Sequence, residues 1–263
     1  MKQDVPPSAD GSEAIDAPQA SGVKSAVRVL AILEHFAASP RPATLVQLSK
    51  QLDWPKSSCF ALLETLRQAG YVYWLGKEHG YYPTRRWRDL GERVSSKDPI
   101  LAMAAPALAE LRDKLNETTI LAKRDGLEVL YLDAVESTQI LRFSAHAGQR
   151  KPMHSAASGR AMLALMDEPS RDSLIAKMEL QRYSENTPVE PAQVKKDVQT
   201  GAQRGWHIAV GEYRSDTTSI AAGFRFGGDE CAFVVGAPIS RIETRHDEIG
   251  SLLQMYAQAV TEE

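Results

Sequence analysis

Between Lys24 and Gly70, three short helical patterns follow one another, and each ends at residues that stop a helix. From Lys24 to about Ala38, apolar side chains recur every three or four residues, which places them on one face of a helix. The segment 39–42 contains two prolines that break this pattern. We therefore predict a first helix over 24–38.

A second and a third helix follow at short distance. Thr44 and Gln47 have the spacing of a capping box, which predicts the start of a short helix. After a tight turn, Pro55 fits the first turn of the next helix, because its missing N–H is not needed there. Gly70 can adopt the left-handed conformation that ends this helix after Ala69. The apolar face of the third helix is predicted to bury Cys59, Leu62, Leu63 and Leu66.

Two β-prone runs, 71–74 and 81–82, flank a polar loop bounded by glycines and predict a hairpin. Three helices followed by a hairpin describe a winged helix-turn-helix over residues 23–83. A basic helix over 84–97 is predicted to link this module to the rest of the chain.

The charge is unevenly distributed. The whole chain has a net charge of −3, which by itself argues against a nucleic-acid partner. Residues 24–93, however, carry eleven Lys and Arg against six Asp and Glu, a net charge of +5. A basic segment followed by a mildly acidic body is the asymmetry expected when one module meets phosphate and the other does not.

Other bulk features exclude several classes of protein. Residues 1–22 are rich in Pro, Ala, Ser, Gly and Asp, and we predict a disordered tail. These residues lack the layout of a signal peptide, and no apolar run approaches the ~20 residues that a membrane helix needs. Cys59 and Cys231 have neither metal-type nor redox spacing and suit a reducing compartment. The sequence predicts a cytoplasmic protein with no membrane partner, no cofactor and no metal.

Residues 98–263 predict a larger α+β domain. A helix opens at Asp98-Pro99 and runs to Leu115. The β-prone runs are 118–124, 127–134, 139–146, 206–213, 218–226 and 231–237. The helical runs are 157–166, 170–179, 191–204 and 240–260. Ser240 with Glu243 predicts the cap of the last helix, and 227–229 predict a hairpin turn.

The third helix has the clearest functional pattern. In a helix-turn-helix, the N-terminal half of this helix enters the major groove of DNA. Lys56, Ser57 and Ser58 can bond base edges or phosphates. Phe60 and Ala61 cannot hydrogen-bond a base but can pack on thymine methyl groups. The alternative is that the helix-turn-helix only forms a dimer or scaffold surface.

Further candidate DNA contacts surround this helix. Lys77 and His79 lie in the predicted hairpin loop and can approach the DNA backbone or minor groove, or else form a solvated hairpin tip. Arginines of the linker favour phosphate contact over a solvated helix face. The remaining candidates in this set are Thr44, Arg67, Arg85, Arg86 and Arg88.

Three stretches carry a resemblance to a known family. The first is LSKQLDWPKSS at 48–58, continued by LLETL at 62–66 and GYV at 70–72. The second is PMHSAASGRAMLA at 152–164. The third joins RGW at 204–206, SIAA at 219–222 and APISRI at 237–242. In order and separation, residues 24–263 resemble the IclR family of bacterial transcriptional regulators.

The resemblance implies a GAF-like α/β effector-binding domain joined to the winged helix through linker helices. It also implies dimers or tetramers, palindromic operators, and repression or activation controlled by a small metabolite. Phe60 and Ala61 stand where the family often has a polar or basic pair, so a typical operator sequence is not expected.

The family's ligand-contacting positions imply an effector pocket in this chain. They correspond to Phe143, Ala157, Ser158, Ala209, Thr217, Ser219, Val234 and Gly236, beside Gly159. Members that bind small keto acids have an acidic residue near Ala209, a cysteine at Ser219 and serines near Val234 and Gly236, and this chain keeps little of that polar set. Ser158 and Gly159 open a predicted helix whose N–H groups can hold a carboxylate.

The same correspondence indicates the chemistry of the effector. Phe143 and Val234 would form an apolar wall, so an aromatic or otherwise hydrophobic acid is expected. For Ser158, Gly159 and Ala161, the alternative is close packing of a helix with no ligand contact.

Two other functions are alternatives to a ligand-responsive regulator. The groups that suggest an enzyme are Asp133, His146, His154, Ser219 and Cys231. The sequence has no Gly-rich phosphate loop, nucleophile elbow or metal-type spacing, so we predict that the protein is not an enzyme. An architectural DNA-binding protein with no ligand is the other alternative, but it would not need the large second domain.

Overall fold

The computed structural model describes residues 22–261. The predicted disordered tail therefore lies, apart from Gly22, outside the described residues. The chain divides into two compact units, Met1–Ser95 and Ser96–Glu263. No helix in the described part of the chain is long and apolar enough to cross a membrane.

The first unit contains the three predicted helices, the hairpin and the linker helix. Its elements are α1 (Lys24–Ala38), α2 (Leu45–Gln51), α3 (Lys56–Gln68), β1 (Val72–Trp74), β2 (Tyr81–Pro83) and α4 (Arg86–Ser95). One apolar core joins them, with Ile32 from α1, Leu48 from α2 and Leu63 from α3 all fully buried. The fold of a winged helix-turn-helix is confirmed.

Local signals place these elements. The Thr44 hydroxyl accepts a hydrogen bond from the Gln47 N–H at 3.3 Å, and the Gln47 side chain accepts from the Thr44 N–H at 2.8 Å. Gly70 has a φ of +78° directly after α3, as predicted. At Gly80, a Cβ atom would lie 2.2 Å from the Ala43 carbonyl oxygen, so only glycine allows the hairpin to pair with the segment before α2.

The second unit is a six-stranded antiparallel sheet with helices on both faces. The strands lie in the order β5-β4-β3-β8-β7-β6. The strands are β3 (Thr118–Asp125), β4 (Glu128–Val135), β5 (Arg150–Pro152), β6 (His207–Val210), β7 (Thr217–Phe226) and β8 (Asp229–Pro238). The helices are α5 (Pro99–Leu115), α6 (Ala157–Ala164), α7 (Glu168–Ile175), α8 (Pro191–Arg204), α9 (Ile239–Ile242) and α10 (His246–Thr261).

The alternation of side chains along the central strands creates two cores. Leu121 of β3 joins the core that includes Leu108 of α5 and Leu253 of α10. Its neighbour Ile120 joins the other core, with Met162 of α6 and the helix α8. Successive residues of a strand point to opposite faces, so the sheet is covered on both sides.

Two predicted elements are corrected. Residues 139–146 form a loop, because the carbonyl groups of Leu141 and Phe143 accept from the side chains of Arg241 and Thr118 instead of a neighbouring strand. The last helical run is divided into α9 and α10. Ser240 lies inside α9 and does not cap it, because Pro238 takes the position before the helix. The hairpin turn at 227–229 is confirmed, with positive φ at Gly227 and Gly228.

Candidate functional site

The exposed face of α3 carries the residues predicted to read DNA. Lys56, Ser57, Phe60 and Ala61 are exposed, and Ser58 is half-buried. The opposite face of the helix belongs to the core through Cys59, Leu63 and Leu66. Phe60 is 49% exposed, which leaves its ring available to a partner. The helix therefore presents one cation, two hydroxyl groups and an apolar patch.

Cations surround this face, and some already have local partners. Lys77 and His79 lie exposed in the loop between β1 and β2. Arg67 is held by Glu64 of the same helix at 2.6 Å, so part of its charge is neutralised. Arg85 lies 3.4 Å from Asp89, a contact between two exposed side chains.

The start of α4 is anchored to the hairpin. The Arg86 guanidinium lies over the Tyr71 ring, 4.7 Å from its centroid. The Trp87 indole N–H donates to the Tyr71 carbonyl at 2.9 Å. The Thr84 hydroxyl donates to the Gly70 carbonyl at 2.7 Å. These contacts hold the first turn of the linker helix and its exposed arginines beside the end of α3.

A small pocket that is partly open to solvent lies in the second unit. The sheet contributes residues from β4, β5, β6 and β7, and the chain just before α6 contributes two more. The lining residues are Tyr131, Phe143, Lys151, Ser155, Ala156, Ala209, Glu212, Tyr213, Thr217 and Ser219.

Three polar side chains of this pocket, Lys151, Ser155 and Tyr131, are largely buried. The Lys151 ammonium lies over the Tyr213 ring, 4.0 Å from its centroid. The Ser155 hydroxyl is buried and has no hydrogen-bond partner. Burial raises the pKa of Tyr131, so its phenol remains a neutral donor.

The one carboxylate in the lining is held by a buried arginine. Both oxygens of Glu212 accept hydrogen bonds from Arg160 at 2.8 Å. Arg160 belongs to α6, is 1% exposed and also donates to the Ile208 carbonyl. Burial raises the pKa of the Glu212 carboxyl, and the positive charge of Arg160 opposes this shift.

The predicted effector positions fall into two groups. Phe143, Ala209, Thr217 and Ser219 line the pocket. The other five do not appear in its lining, namely Ala157, Ser158, Gly159, Val234 and Gly236.

Glycines in the second group have packing roles. A Cβ at Gly159 would lie 2.2 Å from the Met153 carbonyl oxygen, so this residue packs α6 closely against the preceding chain. A Cβ at Gly236 would lie 2.6 Å from the Phe143 ring, so the missing side chain makes room for that pocket wall. The Ser158 hydroxyl is buried without a partner, one residue inside α6.

Sequence reasoning missed six lining residues, namely Tyr131, Lys151, Ser155, Ala156, Glu212 and Tyr213. The pocket is therefore more polar than predicted. The alternation of side chains along a strand contained a signal for Lys151. Arg150 and Lys151 are neighbours in a strand and must point to opposite faces, so one of the two faces inward. The others come from separate segments, at 131, at 155–156 and at 212–213, and only the fold brings these segments together.

Two of the groups considered for catalysis, Cys231 and His154, are buried within the fold. Burial raises the pKa of the Cys231 thiol to about 12, which leaves it protonated and unreactive. A ring nitrogen of His154 lies 2.9 Å from the Gln181 carbonyl oxygen, and burial lowers its pKa. Among residues 22–261, no group of three or more His, Cys, Asp or Glu is placed to hold a metal ion.

Known proteins match both units. Residues 25–76 match the IclR helix-turn-helix domain, and residues 92–262 match the C-terminal domain of the bacterial transcriptional regulator IclR. The transcriptional repressor IclR of Escherichia coli (strain K12) is 30% identical over 250 residues, which cover 93% of this chain and 91% of that protein.

Solved structures share the fold. The crystal structure of the Thermotoga maritima IclR has a TM-score of 0.77 at 20% identity, covering 89% of this chain and 96% of that one. An IclR homolog from Microbacterium hydrocarbonoxydans, complexed with 4-hydroxybenzoate, has a TM-score of 0.71 at 21% identity. That match covers 90% of this chain and 98% of the homolog.

A helix-turn-helix unit with an exposed third helix, followed by a unit that matches the IclR C-terminal domain and contains a small pocket, defines a DNA-binding transcriptional regulator with a C-terminal effector domain. The chain belongs to the IclR family of bacterial transcriptional regulators. Its partners are DNA and a small molecule.

Proposed function

We propose that this regulator acts in the cytoplasm, binds a palindromic operator as a homodimer or dimer of dimers, and responds to an aromatic or otherwise hydrophobic organic acid. The observation that carries the effector assignment is the pocket, in which the Phe143 ring lies in the same lining as Lys151 and Ser155. An apolar ring surface and polar donors in one small cavity match a ligand that is apolar at one end and anionic at the other.

The DNA contacts proposed for α3 combine anchoring with apolar readout. Lys56 and Ser57 are exposed at the N-terminal end of the helix, the part that faces base edges and phosphates in this fold. Phe60 is exposed one turn further on, where an aromatic ring can contact a thymine methyl group. Lys77, His79, Arg85 and Arg86 are proposed to contact the backbone on either side. Thr44, Ser58, Ala61 and Arg67 complete the proposed surface.

Pocket chemistry and fold both support an aromatic acid. The structural neighbour from Microbacterium hydrocarbonoxydans holds 4-hydroxybenzoate, which is such an acid. The proposed effector residues in this chain are those that line the pocket, with Phe143 and Ala209 as the apolar contacts and Thr217 and Ser219 as hydroxyl groups. The other predicted positions are proposed to act indirectly, by supporting the residues that line the pocket; they are Ala157, Ser158, Gly159, Val234 and Gly236.

Self-association is supported by exposed apolar side chains on the helices of the first unit. Leu90 and Val94 of α4 are 43% and 68% exposed, and Leu30 of α1 is 50% exposed. Leu90 and Val94 are four residues apart in α4, so they form one stripe along the helix. An apolar stripe on a helix with no buried residue of its own suits packing against a second copy.

The experiment that tests this function is footprinting of the full chain on DNA from the region upstream of its own gene. It is carried out with and without benzoate and 4-hydroxybenzoate. We expect a protected site with two-fold symmetry and at least a tenfold change in affinity when an acid binds. Thr217→Phe should remove the response to the acid without changing operator affinity, whereas Thr200→Phe, on the exposed part of α8, should leave both unchanged.

Two results would contradict the proposal. Binding with no preference for any DNA sequence would indicate an architectural protein. Operator binding that ignores both acids, together with no change in thermal stability on adding either acid, would overturn the effector assignment and leave the DNA-binding function in place.

A further inference from the structure

Lys151 lies in an unusual position for a lysine. It belongs to β5, the edge strand of the sheet, and is only 9% exposed. Its neighbour Arg150 points the other way, where it forms ion pairs with Asp125 and Glu128 on the surface. The alternation of the strand therefore directs the lysine ammonium into the pocket and the arginine out of it.

A charged ammonium in such a place needs stabilising contacts, because burying a charge without them is strongly unfavourable. The face of the Tyr213 ring provides one, with the nitrogen 4.0 Å from the ring centroid. This contact also limits where the ammonium can lie, so the positive charge is held against the pocket wall. An ammonium has three donors, so contact with a ring face does not prevent it from also meeting a ligand oxygen.

The acid in the pocket lining is already engaged elsewhere. Both oxygens of Glu212 are bound by the two-pronged guanidinium of Arg160. Among the lining residues that the structure describes, the charged ones are Lys151 and Glu212, so the lysine forms the positive end of this lining.

A second donor faces the same cavity. The Ser155 side chain is 2% exposed, lines the pocket, and has a hydroxyl with no hydrogen-bond partner. A buried polar group without a partner is unfavourable, and a ligand oxygen at this place would satisfy it.

We propose that Lys151 is the residue that selects an anionic ligand, by binding the carboxylate of an aromatic acid together with the Ser155 hydroxyl. The proposal rests on the effector pocket described above and adds the residue that sets its charge preference. With one cation and one hydroxyl, the site suits a singly charged carboxylate. The ring of the acid then lies towards Phe143 and Ala209, which are the apolar part of the lining.

The test is calorimetric titration of the full chain with benzoate and with benzamide, which has the same shape and no charge. Lys151→Met keeps the length of the side chain and removes the charge, and Lys151→Arg keeps the charge. We expect Lys151→Met to weaken benzoate binding at least tenfold and benzamide binding less than threefold. Lys151→Arg should retain most of the affinity for benzoate. Lys177→Met removes an exposed lysine from the same unit and should change neither titration.

The outcomes separate this proposal from the effector pocket itself. If Lys151→Met binds benzoate as tightly as the wild type while Thr217→Phe abolishes binding, the pocket is right and Lys151 does not select the anion. Equal binding of benzoate and benzamide by the wild type also overturns the charge preference. If benzoate binds but Thr217→Phe leaves binding intact, the pocket assignment fails as well. Absence of any benzoate binding to the folded wild type overturns both.

Discussion

At the scale of single residues, the exposed face of α3 combines few charges with an exposed aromatic ring. Lys56 is the one cation among the exposed residues of the first two turns of α3, and Phe60 follows it by one turn. Because base edges are read by hydrogen bonds and by contact with thymine methyls, this face indicates a reading surface with a large apolar share. Phosphate contacts then supply most of the affinity and little of the sequence preference.

The Lys56→Ala variant tests this division. We expect weaker operator binding, with the slope of log affinity against log salt smaller in magnitude by about one unit, if the ammonium contacts a phosphate. Fluorescence anisotropy at several salt concentrations measures both quantities. Lys177→Ala, which makes the same change of charge outside the proposed DNA surface, should keep the wild-type slope. An unchanged slope in Lys56→Ala would remove this lysine from the phosphate contacts.

At the scale of elements, β6 and α8 are packed around a buried histidine. A ring nitrogen of His207 lies 3.1 Å from the Val198 carbonyl oxygen, and a Cβ at Gly201 would overlap the ring. Burial lowers the pKa of His207 to about 4, and the positive charges of Arg160 and Arg204 contribute to the lowering. The imidazole is therefore neutral in the folded protein at pH values where an exposed histidine is protonated.

A dependence of stability on pH follows. Between pH 6.5 and pH 4 the unfolded chain binds a proton at this histidine and the folded chain does not, so stability falls as the pH falls through this range. From pH 6.5 to 5.5, the loss assigned to His207 is about 1 kcal/mol. His207→Gln should reduce this dependence, and His79→Gln, in the exposed hairpin loop, should not. The pH dependence of stability is measured by amide hydrogen exchange of the strands β6, β7 and β8, with the exchange rates corrected for the intrinsic effect of pH. If the stability of His207→Gln depends on pH in the same way as that of the wild type, the assignment of this dependence to His207 is contradicted.

At the scale of the whole molecule, DNA recognition and ligand sensing are assigned to separate units of the chain. The proposed palindromic operator would be matched by a dimer with two-fold symmetry, so the surface proposed to join two copies is as important as the exposed face of α3. The stripe of Leu90 and Val94 on α4 is the candidate in the first unit.

The double variant Leu90→Ser with Val94→Ser tests that surface. We expect a lower molar mass in sedimentation equilibrium at micromolar concentration, because two exposed apolar side chains no longer pack against a second copy. Operator affinity should fall with it. Leu127→Ser, at an exposed turn of the second unit, is the control and should leave the mass unchanged. A double variant with the wild-type mass would place the interface elsewhere.

Much of the fold could be predicted from the sequence, because its signals are local. The capping box at Thr44, the glycine at 70 and the helical period of α1 each involve residues within one or two turns of each other. The loop at 139–146 could not be predicted in the same way. Its alternation of apolar and polar residues is typical of a strand, but a strand also needs a neighbour, and the donors that its carbonyls find are the side chains of Thr118 and Arg241.

The sequence by itself determined the helix-turn-helix, its basic charge and the family, since each of these is contained in short stretches of residues. The tertiary structure alone decided the chemistry of the pocket. Tyr131, Lys151 and Tyr213 come from separate segments, and pairing of the strands brings them to one cavity. Whether a lysine faces solvent or a pocket depends on which face of the sheet is covered, and no local pattern contains that information. The winged helix was therefore predictable from the sequence, whereas the lysine inside the pocket was not.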